Sequence, residues 1–120
     1  MSSLRELMSD DLVTVPPTAT VAEAAQVMSL RRVGAAVVVD GDELLGIFTE
    51  RDIVRALAAE HDAASHEVSE WMTKDPFTRD ADAPAHETLA FMLAKGFRHV
   101  PVTDAGRLVG MVSMRDLSIR

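Results

Sequence analysis

Displaced by 64 positions, this 120-residue sequence aligns with itself without a gap over some fifty positions. Matched pairs include Glu6/Glu70, Met8/Met72, Thr14/Thr78, Glu23/Glu87, Met28/Met92, Gly46/Gly110, Arg51/Arg115 and Asp52/Asp116. A gapless register of this length signals a duplicated unit, so each half is expected to fold alike. The repeats are read as residues 1–59 and 68–120, joined by the polar, alanine-rich linker EHDAASHE at 60–67. A unit of that size buries only about 60% of its unfolded surface, which is marginal for folding alone. The copies are therefore expected to pack on each other with pseudo-twofold symmetry, leaving a central cleft as the place for a ligand.

Each copy has the same order of elements. A short amphipathic turn (LRELM, VSEWM) leads to an extended piece (LVTV, PFTR) and then to a helix. Val21, Ala24, Ala25 and Met28 follow the i, i+3, i+4, i+7 spacing of a helical face, and Ala85, Thr88, Leu89 and Met92 repeat it. Thr20-x-x-Glu23 forms a capping box, whereas Pro84 at the matching place suits a first helical turn. Two strands follow around Asp40-Gly41-Asp42 and Asp104-Ala105-Gly106, both with hairpin chemistry. A closing helix carries Ile53, Val54 and Leu57 on one face. In the second copy it has only a turn or so before Arg120, and its end is expected to fray. The expected fold is α+β, two β-α-β-β-α repeats.

The run GIFTERD (Gly46 to Asp52) returns as GMVSMRD (Gly110 to Asp116). Thr49 and Ser113 end a strand and open a helix, where a hydroxyl accepts a bond from a free first-turn N–H. Asp52 and Asp116 also suit the positive end of the helix dipole. The same helix end attracts phosphate, and Arg51 or Arg115 beside it adds a charged donor fork. A carboxylate at Asp52 or Asp116 is wrong for phosphate and right for two vicinal ribose hydroxyls. Spacing leaves cap and binding site both open. Gly46 and Gly110 inside strands mark a bulge or close approach, from helix packing or from ligand clearance. Pro101 cannot donate to a ladder and belongs at a sheet edge or strand start.

Several classes are set aside by composition. The formal net charge is -7 and the pI near 4.9, against a nucleic-acid partner, which clustered Lys and Arg would serve. No apolar run reaches the roughly 18 residues of a membrane span, and MSSLRELMSDD is not a signal peptide. The sequence contains no cysteine, so no disulfide framework or thiolate zinc site is expected, and the cytoplasm is the simplest address. His61, His66, His86 and His99 lack a convergent spacing, so no metal ligands are assigned. No nucleophile with a base and orienter is legible, and no catalytic residue is expected. Trp71, matching Leu7, reads as an apolar anchor.

GIFTERD and GMVSMRD, each preceded by a β-α-β unit with VVVD or HVPVTD, resemble the paired cystathionine-beta-synthase (CBS) repeats, or Bateman module. The resemblance spans both repeats, nearly the whole chain. It implies a regulatory module without a catalytic domain or required cofactor, taking AMP, ADP, ATP, S-adenosylmethionine or, less often, a dinucleotide between its repeats. By that similarity Asp52 and Asp116 hold ribose hydroxyls, and Thr49 and Ser113 meet phosphate. Gly34 to Val37, with Ala36 and Val37, and Arg98, His99, Val100 and Pro101 line the base. Arg98 and His99 supply positive charge in the second copy only, where the first has Gly34 and Ala35, so the two sites are expected to be unequal. The resemblance also implies a flat homodimer and an unidentified protein partner. A ligand-free dimerisation or scaffold module is the alternative.

Overall fold

The computed structural model describes residues 2–118. Helix α1 (Leu4–Leu7) is followed by strand β1 (Thr14–Val15), helix α2 (Val21–Arg31), strands β2 (Ala35–Asp40) and β3 (Glu43–Thr49), and helix α3 (Glu50–Ala59). Single 3-10 turns at Ala63–Ser65 and Val68–Glu70 precede strands β4 (Thr73–Lys74) and β5 (Arg79–Asp80). Helix α4 (Ala85–Lys95), strands β6 (His99–Asp104) and β7 (Arg107–Ser113), and helix α5 (Met114–Ser118) complete the order. The β-α-β-β-α unit thus occurs twice in an α+β fold. The fraying expected at the second closing helix falls on Ile119 and Arg120, outside the described residues. None of the described helices is long and apolar enough to cross a membrane.

The chain divides into two compact units that regroup the repeats: Val13–Pro76, and the residues up to Leu12 together with those from Phe77 onward. Each copy's opening turn joins the other copy's body. Leu4 and Arg5 donate backbone bonds to Ala83 and Ala81 at 3.0 and 2.8 Å, and Leu4 is fully buried in a core with Met92, Val100, Val102 and Val112. Arg5 also reaches Asp82 and Asp104 at 3.2 and 3.1 Å, contacts that are solvent-exposed and worth little by themselves. In the other unit the Val68 N–H donates to Ala19 at 2.8 Å, and Val68 lies in a core with Met28, Ala36, Val38 and Phe48. The segment 60–67 belongs to this unit too, because Ala63 is fully buried in the same core.

In the Val13–Pro76 unit the sheet order is β1-β2-β3-β4, and in the other it is β5-β6-β7. The first strand of each is parallel to the second, and the second and third form an antiparallel hairpin. Ala105 and Gly106 have φ of 52° and 80°, the pair of positive values that a type I′ turn demands. Both hairpins shift register at the same place, Val38/Val39 and Val102/Thr103, opposite Gly46 and Gly110. Pro101 departs from the expected sheet edge: it is the third residue of β6, the central strand of its sheet. It is tolerated because β5 pairs only with Val102 and Thr103, so no ladder bond is asked of it on that side. At the matching position Val37 donates to Val13 at 2.9 Å.

Helix α2 has the expected capping box, with the Thr20 N–H donating to Glu23 Oε1 at 2.8 Å and the Glu23 N–H to Thr20 Oγ1 at 3.1 Å. Pro84 is the N-cap of α4, one place before the first turn expected for it. At the far end of α2, Arg32 takes the left-handed conformation with φ 56°, where the matching C-cap of α4 is Gly96 with φ 79°. A non-glycine residue is strained there, so Arg32→Gly is expected to stabilise the protein by about 0.5–1 kcal/mol. Thermal unfolding checks it as a rise in Tm of a few degrees, about 2–4 °C.

Of the apolar face expected on the first closing helix, only Ile53 packs against the core. In α3, Val54 and Leu57 are 65% and 57% exposed, whereas Asp52 and Ala56 are buried. The reason is the cap: Asp52 folds back onto Thr49, and Ala56 lies one turn further along the same face.

Candidate functional site

The two GIFTERD-like runs place a capping box at the start of each closing helix. The Thr49 N–H donates to Asp52 Oδ2 at 2.9 Å, and the Asp52 N–H donates to Thr49 Oγ1 at 3.3 Å. In the second copy the Ser113 N–H donates to Asp116 Oδ2 at 2.8 Å, and the Asp116 N–H to Ser113 Oγ at 3.0 Å. The next amide is also taken in both: Glu50 donates to the Gly34 carbonyl at 3.0 Å, and Met114 to the Arg98 carbonyl at 2.7 Å. The first-turn donors that these bonds leave unused are the amides of Arg51 and Arg115. A helix end so far satisfied from within offers an anion one backbone N–H, and further donors must come from side chains.

At the side chains the two boxes diverge. The Thr49 hydroxyl donates to Asp52 Oδ2 at 3.1 Å, and Arg55 Nη1 donates to Asp52 Oδ1 at 2.9 Å. Asp52 is 4% exposed, with both oxygens engaged inside the unit. Arg55 in turn stands 5.8 Å from the ring centre of Trp71, which packs against the core as the expected anchor. In the second copy the position matching Arg55 is Ile119, which carries no charge. Within that box Ser113 Oγ serves as acceptor, leaving its proton to donate, and Asp116 Oδ1 takes no part in it. Asp116 is partly exposed, and Arg115 and Arg98 are exposed.

The segments expected to line a base separate by face. Ala36 and Val100 turn their side chains into the cores of their own units, so only their backbones are available to a ligand. Val37 and Pro101 alternate to the opposite face of their sheets and are also buried. His99 is partly buried.

Gly46 and Gly110 have a structural cause. A Cβ at Gly46 would stand 2.6 Å from the Thr73 carbonyl oxygen and 2.7 Å from Met72 Sδ. At Gly110 it would stand 2.6 Å from Met8 Sδ and 2.9 Å from the Ser9 carbonyl oxygen. The glycines make room for the segment after each opening turn, which bridges the strand at Thr73↔Ile47 and Ser9↔Met111. Packing against that extended segment, rather than against a helix or for ligand clearance, accounts for both.

One grouping escaped the sequence reading. Metal-ligating atoms of Glu60, Asp62 and His66 lie within 4.8 Å of one another. Spacing among the histidines does not reveal it, because the partners of His66 are carboxylates four and six residues earlier. The signal available in the sequence was the spacing E-x-D-x-x-x-H, closed by the turn at Ala63–Ser65.

The sequence profile of the CBS domain matches residues 4–59 and 68–119. Over 119 residues the chain is 39% identical to the 17.7 kDa protein of the bps2 3′ region of Acidianus ambivalens, covering 98% of this chain and 71% of that one. Among solved structures it is similar to the CBS-domain containing protein ATU1752 from Agrobacterium tumefaciens, with 35% identity, a TM-score of 0.93 and 98% of each chain covered. It is also similar to the CBS domain pair of protein MJ0100 in complex with 5′-methylthioadenosine and S-adenosyl-L-methionine. That match has 27% identity, a TM-score of 0.90 and coverage of 99% and 94% of the two chains.

Proposed function

Because the chain belongs to the CBS domain family, with the domain present twice, we propose that it is a regulatory module, not an enzyme, and that it binds an adenosine-containing ligand. AMP, ADP, ATP and S-adenosylmethionine are the candidates, and binding signals through a change of conformation or of affinity for a protein partner. The relative solved with 5′-methylthioadenosine and S-adenosyl-L-methionine supports this ligand class.

The observation that carries the reading is the spare bonding capacity of the second capping box. The box engages Asp116 through Oδ2 and Ser113 Oγ as an acceptor, which supports a reading in which Asp116 Oδ1 accepts from ribose hydroxyls and the Ser113 hydroxyl, the Arg115 amide and the exposed Arg98 guanidinium donate to phosphate. The first box closes on itself through Arg55, so its Thr49 and Asp52 serve the helix cap before any ligand, and Arg51 is the group left beside it. One ligand per chain follows. Calorimetry against AMP, ATP and S-adenosylmethionine is expected to give a stoichiometry near one. At about 100 times its dissociation constant the bound ligand adds about 2.7 kcal/mol of stability. Absence of heat and of a thermal shift with every adenosyl compound at millimolar concentration would leave the ligand-free scaffold reading in its place.

A further inference from the structure

Outside the capping boxes, the chain turns sharply between α3 and the Val68–Glu70 turn, and charged side chains converge there. Asp62 Oδ1 lies 3.0 Å from His66 Nε2, and a carboxylate oxygen of Glu60 completes a set of three within 4.8 Å. The other ring nitrogen is spoken for differently. His66 Nδ1 is sealed from solvent without a well-formed hydrogen bond, and Glu70 Oε1 stands 3.2 Å away. Glu70 is itself anchored, its Oε2 accepting the Glu67 N–H at 3.1 Å.

The geometry points to a divalent metal site, suited to zinc, with His66 Nε2, Asp62 and Glu60 as ligands and Glu70 orienting the imidazole through Nδ1. Imidazole with carboxylates is a zinc-type donor set, and a carboxylate on the far ring nitrogen is the usual support of a metal-bound histidine. Bonds of about 2.0–2.2 Å in a tetrahedron set ligand atoms about 3.3 Å apart, so Asp62 opens slightly and the exposed Glu60 closes in. Water fills the fourth position.

The scaffold for these ligands is fixed. The Ala63 and Ser65 amides donate to the Glu60 and Asp62 carbonyls, each at 3.1 Å, and the His66 carbonyl accepts from Val21 at 2.8 Å. Ala63, at the centre of the turn, is fully buried. The carboxylates of Asp62, Glu60 and Glu70 around the ring also give a local field that favours a cation.

The test is zinc titration by calorimetry on tag-free chain stripped with a chelator, followed by cobalt substitution. One equivalent is expected to bind, with a rise in Tm and the intense visible absorption of tetrahedral cobalt. His66→Gln, whose backbone bonds do not involve the ring, is expected to abolish saturable binding. Glu70→Gln is expected to weaken it about tenfold, and His86→Gln, on α4, to leave it unchanged. Absence of saturable binding by the unaltered chain overturns the site, as does equal affinity in His66→Gln. These measurements need no nucleotide, so they stand apart from the adenosyl-ligand reading.

Discussion

Asp116→Asn is expected to weaken adenosyl-ligand binding by about 10- to 150-fold, the equivalent of the 1.5–3 kcal/mol carried by hydrogen bonds to a charged group. Asp52→Asn, the same chemical change in the matching residue, is expected to leave affinity within about twofold, as both oxygens of Asp52 are already engaged by Thr49 and Arg55. Its cost appears in stability. Asp52 accepts from the Thr49 amide, the Thr49 hydroxyl and Arg55, and the change turns charge-assisted bonds into neutral ones. A loss of about 1–2 kcal/mol follows. Calorimetry with AMP and denaturant unfolding of both variants separate the two effects. Equal loss of affinity in both variants would show that Arg55 gives way and that the boxes work alike.

Gly46→Ala is expected to destabilise the protein by about 3 kcal/mol, the upper end of the range for overpacking. The added methyl has its nearest contact with a backbone oxygen, Thr73 at 2.6 Å, which belongs to the strand paired with Gly46. That oxygen cannot retreat without breaking the pairing, whereas the flexible Met72 side chain can. Gly110→Ala meets Met8 Sδ first and the Ser9 oxygen at 2.9 Å, and so costs somewhat less. Gly41→Ala is the control, because nothing lies within 4 Å of its Cβ position and only its positive φ of 60° resists the change, at about 1 kcal/mol. Urea unfolding ranks the three. If Gly46→Ala is no worse than Gly41→Ala, close approach is not the reason for the repeated glycine.

How far the fold was legible follows from the range of each interaction. The capping boxes at Thr20, Thr49 and Ser113 were visible because donor and acceptor are three residues apart. The turns were visible because a two-residue hairpin needs particular residues in particular conformations. The burial of Asp52 and Ala56 in place of Val54 and Leu57 was not, because hydropathy ranks a carboxylate outside and takes no account of the bonds that satisfy it. Pro101 in a central strand was likewise hidden, since its tolerance depends on where β5 begins.

The site divides in the same way. The hydroxyl, arginine and acid of GIFTERD and GMVSMRD are equivalent in sequence. Their difference comes from a residue outside the motif, Arg55, which holds Asp52 and whose match in the sequence is the uncharged Ile119. His66 does not stand out among the histidines, because its partners are acids rather than other histidines.

The sequence by itself determined that one β-α-β-β-α unit occurs twice, where its helices begin, and that the chain resembles a paired CBS module. All of these rest on local spacing or on self-similarity, which need no knowledge of distant neighbours. The tertiary structure alone decided that each opening turn is exchanged into the other copy's core, and that Gly46 and Gly110 accommodate the segments following those turns. Those outcomes depend on residues brought together from as far apart as Leu4 and Met92, and no periodicity in the chain records which distant surface a segment will meet.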